Sequence, residues 1–139
     1  MTVSARLVVV SIFSLILIHL IAVFFGWYSY TWIDVIIHFL VGAISGLIFF
    51  LLFDHFIGEH ANHHTAEKIK ILIISVSFAS LIGVFWETHE FILSEYFSIY
   101  IQKSVGEMIN DLLIVMLGAI VSSIVVVYAK NYKKIPSQK

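Results

Sequence analysis

The sequence predicts an all-α integral membrane protein: one domain over residues 1–139, built as a bundle of four transmembrane helices with both termini cytoplasmic. Three observations predict it. The chain is 60% hydrophobic and 12% charged, with a mean hydropathy of +1.02, whereas soluble domains average roughly 45–50% apolar and about 25% charged. Four apolar segments run from about 7 to 25, 32 to 53, 69 to 91 and 108 to 128, each long enough to cross a hydrocarbon layer ~30 Å thick as a helix. Lys and Arg then divide the connections by side. Arg6 precedes the first segment, Lys68 and Lys70 open the third, and Lys130, Lys133, Lys134 and Lys139 follow the fourth, while the other two connections share only Lys103. The positive-inside bias puts both termini and the 2–3 loop in the cytoplasm of a bacterial inner-membrane protein.

The first segment, behind Arg6, has the general outline of a secretory signal. Its apolar run is long for that purpose, and no small-x-small cleavage site follows in Phe24-Phe25-Gly26-Trp27-Tyr28-Ser29-Tyr30, so it reads as a retained helix. Trp27, Tyr28, Tyr30 and Trp32 read as an aromatic belt at the outer interface. The second segment opens with Asp34 and His38, four apart and so on one helix face, and Gly42 and Gly46 continue that row. The third carries Ser75, Ala79, Gly83 and Glu87 at four-residue steps, with Glu90 one turn on. In the fourth, Glu107 and Asp111 share a face, with Gly118 and Ser122 close to it. Three segments thus repeat one pattern, an acidic pair near the outer end running into a stripe of small residues. Such stripes let membrane helices approach closely, so the acidic pairs are expected to face the bundle interior. The Gly42/Gly46 row is also a candidate contact between copies of the chain.

This reading brings Asp34, His38, Glu87, Glu90, Glu107 and Asp111 to one level. His89 lies about 200° around the helix from Glu87 and is expected to stay outside. An ionised side chain in the membrane costs on the order of 3 kcal/mol, and clustered carboxylates add mutual repulsion. The four segments contain no Arg and only Lys70, at the opposite end of the third. Protons or a divalent cation are the remaining neutralisers. A ligand set of carboxylate oxygen with one imidazole suits Zn, Fe or Mn; oxygen alone suits Ca or Mg. The plainer readings are that Asp34, Glu107 and Asp111 stabilise helix N-termini, that Glu87 and Glu90 reach headgroup water, and that His38 is a satisfied core histidine.

Two other features stand out. The 2–3 loop carries His55, His60, His63 and His64 beside Asp54 and Glu59, a set able to hold Zn or Ni but without zinc-motif spacing; a solvated loop is the plainer reading. His19, midway along the first segment, is either packed and satisfied or a hydrogen-bond partner inside the bundle. With no cysteine, disulfides, thiolate metal sites and Cys nucleophiles are excluded. A net charge of −1 with no basic patch points to the lipid bilayer as partner and not to nucleic acid. No His-Glu-x-x-His, Gly-x-Ser-x-Gly or phosphate-binding glycine loop occurs.

Three elements resemble the YjdF-type bacterial inner-membrane proteins, a family of unknown function. These are Asp34-x-x-x-His38-Phe39-x-x-Gly42, an aromatic residue before Glu87-x-x-Glu90, and an acidic residue four before Asp111 with Gly118-Ala119 following. More distantly they are similar to VanZ-like proteins. Glu107 stands where the family usually has Asp, and tryptophans usual around that acidic pair are missing. The resemblance implies that these polar residues matter and supplies no reaction. The expectation is therefore an inner-membrane carboxylate/histidine site near the outer face that binds a divalent metal and acts on a lipid headgroup or small polar substrate. The alternatives are a proton- or cation-coupled binding or transport module and a non-catalytic membrane scaffold.

Overall fold

A long apolar helix keeps its backbone satisfied internally and offers its side chains to lipid or to other helices. The structure, a computed structural model describing residues 5–58, 65–99, 101 and 104–132, consists of four such helices. They are α1 (Ala5–Phe24), α2 (Thr31–Gly58), α3 (Thr65–Phe97) and α4 (Val105–Tyr132), with a single 3-10 turn at Trp27–Ser29 between α1 and α2.

Local chemistry sets the ends. Gly26 adopts φ 66°, which a glycine takes without Cβ strain, and this ends α1. The Gly26 carbonyl then accepts from Ser29 Oγ at 2.8 Å and from the Ser29 amide at 3.2 Å, turning the chain into α2. At α4 the cap is Ser104, whose Oγ accepts the Glu107 amide at 3.2 Å. With Glu107 in the third helical position, Ser104-Val105-Gly106-Glu107 is a capping-box sequence. Beyond α3, Ser98 takes a left-handed φ of 57°, and the Ile101 amide returns to Ser94 Oγ at 3.3 Å.

The helices run past the expected boundaries. α2 continues to Gly58, α3 spans Thr65–Phe97, and α4 begins at Val105 and ends at Tyr132. Hydropathy locates the stretch that suits lipid, whereas hydrogen bonding continues through polar flanks such as Asp54 and Lys68. Three helices are long and apolar enough to cross a membrane: Thr31–Asp54, Lys68–Phe97 and Val105–Tyr128. The described apolar part of α1, Val8–Phe24, is shorter, about 25 Å at 1.5 Å per residue. Large apolar side chains cover the outside, among them Phe13, Phe24 and Phe85, as expected for a surface solvated by lipid.

Small residues set the helix spacing. A Cβ on Gly42 would run into the Val115 backbone carbonyl, one on Gly46 would come within 2.6 Å of Ala119 Cα, and one on Gly118 would meet the Phe39 carbonyl. α2 and α4 are therefore in backbone contact, and α3 lies against both, with Gly83 facing Val115. Ser75 and Ala79 continue the buried face of α3. Gly42 and Gly46 are thus occupied within the chain. The row expected as a candidate contact between copies lies against α4 of the same chain.

Candidate functional site

The small-residue row of α2 points its first two turns inward. Asp34 and His38 occupy that face, and His38 is fully buried. On α3 the same face carries Glu87 and, one turn on, Glu90, both at most 3% exposed; on α4 it carries Asp111 at 8%. The imidazole of His38 is the centre. Its Nε2 lies 2.8 Å from Glu87 Oε1 and 3.7 Å from Glu90 Oε2. Its Nδ1 lies 3.1 Å from Asp34 Oδ1 and 3.9 Å from Asp111 Oδ1.

The two ring nitrogens are not equivalent. Nδ1 hydrogen-bonds the Asp34 backbone carbonyl at 3.0 Å, which fixes it as the protonated, donating nitrogen. Nε2 faces Glu87 Oε1 and Glu90 Oε2 instead. It is the nitrogen aimed at the α3 carboxylates. Two groups accordingly have ligand atoms within 4.8 Å of one another, Asp34–His38–Asp111 and His38–Glu87–Glu90, the second wholly buried.

Five of the six expected residues therefore converge. Glu107 does not join either group; it is half-buried one turn nearer the start of α4. His89 is exposed, as its angular position suggested. The His60, His63 and His64 set, with Glu59 and Lys103, lies outside the described residues.

Sequence reasoning missed two partners. Trp86 Nε1 donates to Glu90 Oε1 at 2.8 Å; its i, i+4 spacing from Glu90 was the available signal. Tyr28 was expected in the interfacial belt, but it is 2% exposed, because the turn at Gly26 folds it under the bundle. Trp27, Tyr30 and Trp32 stay outside. The Tyr28 hydroxyl hydrogen-bonds His19 Nδ1. Burial, with the Glu90 carboxylate next in effect, pushes the pKa of the Tyr28 phenol up. His19 is 4% exposed, with Nδ1 3.8 Å from Glu90 Oε1 and its ring edge-on to Trp86 at 4.7 Å.

Four carboxylates thus surround one imidazole inside helices that suit a membrane, and no Lys or Arg occurs within 31–54, 71–97 or 105–128. A family model described as "Predicted membrane protein (DUF2238)" matches residues 3–132. No curated protein and no solved structure matches.

Proposed function

The chain belongs to the DUF2238 family of predicted membrane proteins, and from that premise we propose that it binds a divalent metal ion in an intramembrane carboxylate/histidine site. One observation carries the reading. His38 Nε2, Glu87 and Glu90 form a buried set of three donors, and Nδ1 of the same imidazole is held by the Asp34 backbone carbonyl at 3.0 Å. Metal-binding histidines characteristically present one nitrogen to the ion while the other donates to a carbonyl or carboxylate. Four carboxylates around a single central imidazole, with no Lys or Arg in 31–54, 71–97 or 105–128, supply the electrostatic reason for a cation.

The Lys and Arg distribution supports a bacterial inner membrane, both termini cytoplasmic, with α1 as a fourth span and the site near the extracytoplasmic face. An ion there supplies Lewis acidity and an acidified water, suited to a lipid headgroup or another small polar substrate at that interface. A cation- or proton-coupled transporter is the second reading. It requires polar groups continuing across the membrane. Below the site, α2 and α4 meet backbone to backbone at Gly42 and Val115, and Ser45, Ser75 and Ser80 return their hydroxyls to their own helices. That packing counts against a through-path. A scaffold without a ligand is the third reading.

Metal analysis of purified protein separates these. We expect about one divalent ion per chain in the wild type and near none in His38→Ala or Glu87→Gln. Equal, near-zero metal in all three would remove the proposal.

A further inference from the structure

Resting on the metal reading, we infer that Trp86 and Tyr28 are positioning residues that hold Glu90 as a one-oxygen ligand and so select a compact, four-coordinate ion of the zinc class. The two oxygens of Glu90 face different neighbours. Oε1 accepts the Trp86 indole N–H at 2.8 Å and lies 3.8 Å from His19 Nδ1. Oε2 alone faces the His38 nitrogen, at 3.7 Å. A carboxylate whose first oxygen is held by a neutral donor on the far side has one oxygen left for an ion beside His38.

The Tyr28 hydroxyl, from the turn after α1, hydrogen-bonds His19 Nδ1, the same nitrogen that lies 3.8 Å from Glu90 Oε1. Trp86 and Tyr28 thus come from separate elements and both bound the Oε1 side of the same acid.

The donor spacing agrees with a small ion. Donors about 2.0–2.1 Å from a tetrahedral ion sit roughly 3.3 Å apart. His38 Nε2 to Glu87 and to Glu90, at 2.8 and 3.7 Å, bracket that value. One nitrogen and two single oxygens leave a fourth position for water, as in catalytic zinc sites. Calcium, which favours six to eight oxygens and two-oxygen carboxylates, and manganese, which favours an oxygen-rich octahedral shell, are served less well while Trp86 holds the second Glu90 oxygen.

Cobalt(II) reports the difference, since its four-coordinate visible absorption is far more intense than its six-coordinate absorption. Full-length protein in lipid nanodiscs, stripped with chelator and loaded with cobalt, is expected to show the intense form. Trp86→Phe should convert it toward the weak form, weaken zinc binding ~10–100-fold, and narrow the zinc-over-manganese preference. Tyr28→Phe, which removes one hydroxyl, should move the same readouts by less; it serves where Trp86→Phe fails to fold. Trp86→His, which restores a ring N–H donor, should recover part of the intensity. Unchanged spectra and preference in both donor-removing variants would overturn the inference. A six-coordinate wild-type spectrum would overturn it while leaving the metal reading intact, and no metal bound by the wild type would overturn both.

Discussion

The two halves of the bundle use the same face of the same helices for opposite purposes. Toward the starts of α2 and α4, that face carries Asp34, His38 and Asp111, joined by Glu87 and Glu90 from α3. Toward the other end it carries Gly42, Gly46, Val115, Gly118 and Ala119, pressed to backbone contact. The polar half is electrostatically costly and is expected to need an added ion. The apolar half is dense and needs nothing added. The difference teaches that close packing in one half is what allows the other to hold charge: helices fixed at Gly42–Val115 cannot separate to let each carboxylate relax toward water.

The largest effect is expected where backbones touch. Gly42→Leu or Gly118→Val forces side-chain atoms into the Val115 or Phe39 carbonyl and should cost about 3 kcal/mol or more, read as loss of monodisperse protein in size-exclusion chromatography. Gly26→Ala is the control. Nothing lies within 4 Å of its added Cβ, so only the positive φ is charged against it, on the order of 1 kcal/mol. Equal losses in the two classes would erase the proposed division.

The next effect belongs to the polar half alone. Zinc at 100 times its dissociation constant should stabilise the wild type by about 2.7 kcal/mol in thermal unfolding, and should leave His38→Ala unmoved. Glu90→Gln sharpens the contrast through a change of sign. It removes one of four crowded carboxylates, so the metal-free variant should match or exceed metal-free wild type by ~1 kcal/mol. In zinc the order should reverse. A variant less stable than wild type in both states would make Glu90 a structural residue only.

The smallest effect is expected deep in the dense half. Ser123 is fully buried, and its hydroxyl has no hydrogen-bond partner among the described residues. Ser123→Ala should therefore fall within ~1 kcal/mol of wild type, on the stabilising side, with metal content unchanged. A marked loss of metal would show that the dense half reaches the site after all.

Much of this division was legible in the sequence. Four-residue spacing placed Asp34 with His38, and Ser75, Ala79, Gly83 and Glu87 on one face, because a helix fixes angular position without tertiary information. What failed depended on the chain leaving the helical register. Tyr28 points inward because Gly26 reverses the backbone before it, and no periodicity crosses such a turn. Glu107 was grouped with Asp111 by the same spacing rule. Yet it sits in the first turn of α4, where its amide donates to Ser104 Oγ, and that capping sequence was readable but outweighed by the acidic pair. The Gly42 row was rightly read as a contact surface, while the helix it meets, α4, is a tertiary fact.

The central claim is that the buried imidazole and its carboxylates hold an ion. Calorimetric zinc titration of chelator-stripped protein in nanodiscs tests it most directly. The account predicts one tight site per chain, abolished by His38→Ala while that variant stays folded and monodisperse. Either no saturable binding by the wild type or a titration that His38→Ala leaves unchanged would contradict it.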